Sequence, residues 1–215
     1  MHQRHPCGAC APEEIPVGSV EFCNACAAQV GAGRLPALNV PPELRDESIT
    51  GRKCYDFTDE HELIDALQTV PNGFVVKPGD YAKRFDAFKV GRAEYIDLRD
   101  KPGPYFASEY VAKDIEAEWR VFFYRGEIVD ARPYLLHSWL APTDLFAKLV
   151  LKEWGENAPK AGTLDIAILA GGRNILLEVH PMIACGLYGF EDPILLRMLR
   201  DAWVEQVTKG VKHGR

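Results

Sequence analysis

The sequence predicts an α+β fold built on antiparallel sheets and preceded by a small four-cysteine module. Three observations lead there. Residues 118–134 and 164–179 each read as two apolar, strand-forming runs joined at a glycine turn. Amphipathic helical patterns occupy residues 58–70, 142–155 and 192–210. Four of the six cysteines stand as two CxxC pairs near the start of the chain.

Composition sets the outer limits. With 215 residues, 47% hydrophobic and 26% charged, the chain has the makeup of a soluble globular protein of one or two domains. A formal charge of −6 gives no overall attraction to nucleic acid or anionic lipid. The chain has no run of about 18 apolar residues, and its N-terminus is polar and cysteine-bearing. No membrane partner and a cytoplasmic location are therefore expected. Cys54 and Cys185 stand alone, which suits a reducing compartment and one metal site better than a disulfide framework.

In residues 1–35, Cys7 and Cys10, then Cys23 and Cys26, offer four thiolates at a spacing that can close a tetrahedral, structural zinc site. Between the pairs, Gly18-Ser19 interrupts an apolar run as a short hairpin would, and the residues from Cys26 onward suit the start of a helix. This order resembles a treble-clef or zinc-ribbon finger. Arg4 and Arg34 face Glu13, Glu14 and Glu21, so a structural or protein-contact role is expected ahead of nucleic-acid binding, with a redox pair as the minor alternative. Residues 36–54 read as a linker, because glycine and proline cluster there without periodicity.

Residues 55–210 form the main body. Thr58 can cap a helix whose Leu63, Leu67 and Val70 share one side. FVVKP is a short strand carrying Lys77, followed by a basic, glycine-containing loop with Lys83, Arg84, Lys89 and Arg92. A strand-held ammonium beside such a loop is suited to clamp phosphate; the plainer reading is a surface lysine at a strand end. A further strand then leads to Glu109, Tyr110 and Val111.

The hairpin at Arg125-Gly126 carries Arg120 and Arg132. A regular two-residue turn would send them to opposite faces, whereas a bulge near Gly126 would set them opposite one another and require an anion between them. Local pattern leaves both registers open, and pairing with Asp130 or Glu118 is the plain alternative. A role shared by both arginines favours the bulge. The next helix turns Leu145, Leu149 and Trp154 toward the core and stops at Gly155. The last one, opened by Asp192-Pro193, has Leu195, Met198, Ala202 and Trp203 as core candidates and ends at Gly210.

The hairpin reversing at Gly171-Gly172 is the most informative. Such a reversal puts Asp165 opposite Glu178, with His180 two residues further along the same face. Facing carboxylates lie about 5 Å apart at Cβ and repel unless a cation joins them. A divalent metal, magnesium first, would do so; a strand with ordinary solvated acids is the plain reading. His137 has no partner at a telling spacing, and Cys185 reads as a packing residue.

In this order the motifs resemble the ATP-grasp superfamily over residues 55–205, closest to its small clade named for two arginines and a lysine. The resemblance implies an ATP-grasp-like fold of two subdomains. It implies ATP phosphates held by Lys77 and by Lys83 in a closing loop, adenine beside Glu109, Tyr110 and Val111, and magnesium on Asp165 and Glu178. His180 stands where asparagine is usual, which would favour manganese or leave His180 out of the ligand set. The cysteine module occupies the place of the family's front α/β domain, so a partner, a second subunit or the module itself would complete the acceptor site. Lys53 is a weak candidate for the first ATP lysine. The implied reaction joins a small-molecule or peptide carboxylate to an amine through an acyl phosphate, with Arg120 and Arg132 balancing the phosphoryl charge. The alternatives are a phosphotransferase on the same fold and a nucleotide-binding zinc-finger adaptor without turnover.

Overall fold

A computed structural model describes residues 10–91, 98–111, 115–136 and 140–213. Helix α1 (Val20–Gln29) comes first, then a 3-10 turn at Pro42–Leu44 and the one-turn α2 (Glu47–Thr50). Strands β1 (Cys54–Phe57), β2 (Phe74–Pro78), β3 (Phe88–Val90) and β4 (Tyr105–Glu109) form one sheet in the order β1-β4-β2-β3, and α3 (Glu60–Leu67) follows β1 in the chain. Strands β5 (Ile115–Tyr124), β6 (Glu127–Leu136), β7 (Ala161–Leu169) and β8 (Asn174–Pro181) form a second sheet in the order β6-β5-β7-β8. Helices α4 (Asp144–Trp154) and α5 (Leu195–His213) complete the fold. Among the described residues every strand pairing is antiparallel, as the sequence predicts.

The alternation of β2 decides where Lys77 goes. Phe74 and Val76 are fully buried in a core with Leu63, Leu67 and Val70, so Lys77 lies on the other face. The cap of α3 is Asp59 rather than Thr58. One Asp59 carboxylate oxygen accepts the amides of His61 and Glu62 at 2.9 and 3.1 Å, while the Thr58 amide donates to Glu62 at 2.7 Å.

Helix α4 buries Ala147, Val150, Leu151 and Trp154 against Val121, Phe123 and Leu164 of the second sheet. Leu145 and Leu149, expected in the core, are 80% and 42% exposed. Two apolar stripes exist on this helix, and the one that includes Ala147 and Trp154 is longer and lets the helix approach the sheet more closely. In α5, Met198, Ala202 and Trp203 are buried as expected, but the helix continues through Gly210 to His213. A single glycine costs a helix only about 1 kcal/mol and need not end it.

The N-terminal segment departs most from expectation. Ser19 caps α1, accepting the Phe22 amide at 3.3 Å, so the place of the expected hairpin is a helix start. Cys10 and Cys26 form a disulfide. Cys23 is fully buried, donates to the Pro16 carbonyl at 3.6 Å, and has its thiol pushed up to about 11 by burial. Cys7 lies outside the described residues, as do Arg92 and His137. Among the described residues, then, Cys10, Cys23 and Cys26 do not form a zinc site, because Cys23 is spent on the core and the other two sulfurs bond to each other.

Nor is this segment a free-standing module. Cys23, Ala27 and Leu35 pack into one core with Met182, Phe190, Met198 and Trp203, and the Trp203 indole donates to the Pro12 carbonyl at 2.9 Å. The stretch read as a linker also packs, with Val40, Leu44 and Ile49 buried against the second sheet and α4.

The packing of α4 can be tested by truncation. Replacing Leu151 with alanine should cost about 2–5 kcal/mol, as truncations in a filled core do, whereas Leu145→Ala should stay within about 0.5 kcal/mol. Urea denaturation measures both, and comparable losses would contradict the observed helix face. A second test concerns Asp201, which accepts from Arg125 and Tyr124, both at 2.7 Å, and from Arg200. These hydrogen bonds hold its carboxyl below the ordinary range, so its stabilisation is present above about pH 4 and fades as pH falls toward the lowered value. Asp201→Asn should therefore lose about 1–3 kcal/mol near neutrality, and its gap from the parent protein should shrink at about pH 3. A gap independent of pH would exclude an ionic origin.

Candidate active site

Side chains alternate across a sheet, so one extra residue moves everything beyond it to the other face. Two such bulges assemble this site. The β5-β6 hairpin closes on a two-residue turn with Arg125 at φ 51° and Gly126 at φ 82°, the left-handed pair of a type I′ turn. Tyr124 pairs with Glu127 and Phe123 with Ile128, but Phe122 pairs with Asp130, and Arg120 then lies opposite Arg132. The expected facing arginines are present, but the bulge that produces them is at Val129 rather than Gly126.

The β7-β8 hairpin uses the same device. Next to the loop Ile168 pairs with Asn174 and Ile166 with Leu176, one step away from the expected register. Leu177 is the extra residue, and beyond it Asp165 faces Glu178 and Thr163 faces His180, as read from the sequence. Because Arg120 also faces Asp165, the side chains of Arg132, Arg120, Asp165 and Glu178 make one row across all four strands.

The two acids are not left to repel one another. Arg120 donates from Nε and Nη2 to the two oxygens of Asp165 at 2.8 and 2.7 Å, a bidentate contact in which arginine is 7% and aspartate 1% exposed. Lys77 reaches across from the first sheet to Glu178 at 2.5 Å. His180 Nε2 lies 3.2 Å from Asp165 and 3.5 Å from Glu178. Burial pushes Asp165 upward, but the hydrogen bonds from Arg120 and His180 outweigh it and leave the carboxyl lowered. Burial likewise opposes ionisation of Glu178, and the charges of Lys77 and His180 hold it well below the usual value. Burial disfavours the charged imidazole, yet Glu178 and Asp165 raise His180 to about 9.

Arg132 differs from its neighbour in the row. It donates from Nε to Asp130 at 2.7 Å, and its side chain is 40% exposed. One arginine is thus committed to Asp165, while the other keeps an outer side open to a ligand.

Two members of the row, Arg120 and Glu178, line a cleft of about 390 Å³ together with Lys77, Lys83 and His180, whereas Arg132 and Asp165 are not among its lining residues. Lys83 is at its rim, exposed and 3.1 Å from Asp86. Arg84 is not free for phosphate: it donates to the carbonyls of Gly103 and Pro104 at 2.9 and 2.7 Å and so ties the loop down. Glu109, Tyr110 and Val111 do not line this cleft. Glu109 ends β4 and Tyr110 and Val111 follow it; the Glu109 amide donates to the Lys53 carbonyl and the Tyr110 amide to that of Gly73, and the Lys89 ammonium sits 3.6 Å above the Tyr110 ring. The loop after β8 closes the other side. Tyr188 stacks on Tyr134 at 5.3 Å, with the Arg120 guanidinium 5.1 and 5.8 Å from the two rings. A Cβ on Gly186 would come within 2.9 Å of the Tyr188 ring and 3.2 Å of Arg120, so a larger residue there would have to displace the Tyr188 ring. Burial drives the Cys185 thiol up to about 12, which suits packing rather than nucleophilic work. Neither tyrosine has a sequence signal, since their meeting depends on an irregular loop.

Asp165, Glu178 and His180 each offer a ligand atom, and these atoms lie within 4.8 Å of one another. Two carboxylates that already draw in three cationic side chains fit a hard divalent ion, with His180 as a third donor once deprotonated. Removing Arg120 should show how tightly the row is coupled. Arg120→Met strands a buried carboxylate and should cost about 3–5 kcal/mol, while Arg132→Met should cost under about 1 kcal/mol. Equal losses in urea denaturation would mean that the two arginines do not divide the work in this way.

Comparison with known proteins agrees with this architecture. The model of the ATP-grasp domain, in family 2 of the clade named for two arginines and a lysine, matches residues 60–198. No curated protein matches by sequence. Among solved structures, the D-cycloserine synthetase DcsG is 17% identical with a TM-score of 0.53, covering 87% of this chain and 78% of its own. The D-alanine–D-alanine ligase of Bacillus anthracis is 12% identical at TM-score 0.52, covering 87% and 76%. The ATP-grasp ligase PsnB, solved with a minimal precursor, is 17% identical at TM-score 0.50, and the match covers 76% of this chain but only 57% of PsnB. At these identities the structures speak for the fold. With residues 60–198 matched by the family model, the chain belongs to the ATP-grasp domains, in family 2 of the two-arginine, one-lysine clade.

Proposed function

We propose that this protein is an ATP-dependent ligase that joins a carboxylate to an amine. The observation that carries the reading is the row Arg132, Arg120, Asp165 and Glu178, of which Arg120 and Glu178 line a cleft that also receives Lys77 from the opposite sheet. It brings cations and metal-type carboxylates together at the junction of the two sheets. The neighbours add support: their names describe joining D-alanine to D-alanine, making D-cycloserine, and an ATP-grasp ligase held with a minimal precursor. A small amino acid or a peptide is therefore the substrate class we assign.

In this reading a carboxylate oxygen of the substrate attacks the γ-phosphorus of ATP, the bond to ADP breaks, and an acyl phosphate forms. The amine then attacks the acyl carbon, phosphate leaves, and the nitrogen loses a proton. Lys77 turns from Glu178 to the nucleotide phosphates, and Lys83 closes from the rim. Glu178, Asp165 and His180 hold magnesium or manganese, which supplies neutralisation of phosphate charge. Arg132, open on its outer side, takes the substrate carboxylate or the transferring phosphoryl group. Arg120 keeps Asp165 ionised and in place. Glu109, Tyr110 and Val111 sit beside the adenine. No protein nucleophile is needed, because positioning and charge balance supply the acceleration.

One observation favours a second reading, a nucleotide-binding protein without turnover: Arg120 already occupies both oxygens of Asp165. ADP release measured against pooled amino acids and peptides separates the two. A ligase releases ADP only with magnesium and with both an acid and an amine present. A phosphotransferase leaves phosphate on its product, and a binding protein releases no ADP. Glu178→Gln should lower the ligase rate on the order of a hundredfold or more, and Arg132→Lys should lower it strongly despite the retained charge, since lysine lacks the planar fork. Full turnover in Glu178→Gln would remove the metal assignment.

A further inference from the structure

The residues between α1 and β1 contain a buried charge that no catalytic role uses. Arg52 is 5% exposed, and its hydrogen bonds among the described residues run to carbonyls rather than to a carboxylate. Its guanidinium donates from Nη1 to the carbonyls of Thr50 and Leu176, both at 2.9 Å, and from Nη2 to the carbonyl of Leu177 at 2.7 Å. Burial lowers the pKa of its guanidinium, and the nearby Glu178 carboxylate opposes this. A buried cation without a bonded anion is costly, and a leucine or methionine would fill the space more cheaply.

Its position explains why arginine is there. In a regular strand successive carbonyls point opposite ways, so one planar group cannot serve both. Leu176 and Leu177 span the β8 bulge, where the ladder to β7 slips by one residue. Were the register of Ile166 with Leu176 to continue, Asp165 would face Leu177, and Glu178 and His180 would turn to the other side of the sheet. The forked guanidinium holds both carbonyls together. The segment is itself fixed: Gly51 has φ +66°, and a Cβ there would fall 2.7 Å from Ile175. The Thr50 hydroxyl donates to the Arg52 carbonyl at 2.5 Å.

We infer that Arg52 is a positioning residue of the active site, which pins the β8 bulge and thereby keeps Glu178 and His180 on the face of Asp165. The metal part of this inference rests on the ligase reading above; the bulge part does not. The test uses the whole protein with saturating ADP and titrates manganese by electron paramagnetic resonance, for the parent, Arg52→Lys and Glu178→Gln. In parallel, amide hydrogen exchange is followed at residues 175–180. Arg52→Lys keeps the charge but not the fork, and it threatens folding less than Arg52→Met does. Arg52→Lys should bind manganese about tenfold more weakly, as outer partners of metal ligands do, and exchange at residues 175–180 should quicken relative to the other strands. Parent-like manganese affinity in a folded Arg52→Lys, with Glu178→Gln impaired, overturns the inference and leaves the ligase reading standing. If Glu178→Gln also binds manganese normally, the metal assignment is lost, and the exchange data decide: selective loss of protection at residues 175–180 upholds the pinning of the bulge, and uniform exchange refutes it.

Discussion

Asp165 and Glu178 sit side by side on neighbouring strands, and two anions so placed persist only if cations are brought to them. Each comes from a different part of the chain: Arg120 from the adjacent strand, Lys77 from the other sheet, and His180 from β8 itself. Their net contribution to stability is small, because desolvation offsets most of the attraction. Their effect on geometry is large. Arg120 holds both oxygens of the Asp165 carboxylate, and the Lys77–Glu178 contact ties the first sheet to the second beside the cleft.

This arrangement makes the cleft responsive to charge. A ligand that offers phosphate to Lys77 and a cation to Glu178 replaces one ion pair with two, without stranding either group. The uneven fates of the arginines fit the same logic. Arg120 is held by Asp165 and the Gly186 carbonyl, while Arg132 donates to a neighbouring aspartate and has a side chain 40% exposed.

Those parts of the site that depend on period-two alternation are legible in the sequence. Asp165, Glu178 and His180 come out together because their separations along β7 and β8 place them on one face once a reversal is assumed. That agreement has an irregular basis: the turn is off centre and the Leu177 bulge corrects it. Bulges leave little trace in composition, which is why the sequence points to Gly126 instead of Val129 and gives no hint of Arg52. On α4 the sequence points correctly to Trp154 but to Leu145 and Leu149 beside it, where Ala147, Val150 and Leu151 share the buried face. The CxxC pairs mislead because short cysteine spacing tells which sulfurs are near one another, not whether a helix turns one of them into the core.

The docking of residues 12–34 onto α5 bears on biosynthesis. The indole of Trp203 takes its hydrogen-bond partner 191 positions earlier, and Gln206 reaches back to Ala32 and Arg34. Contacts this distant along the chain cannot form while α5 is still within the ribosome. Residues 10–35 are therefore made before both sheets but gain their contacts with α5 only after it has been made. For a nascent chain, that is a long interval in which chaperone capture competes with self-association.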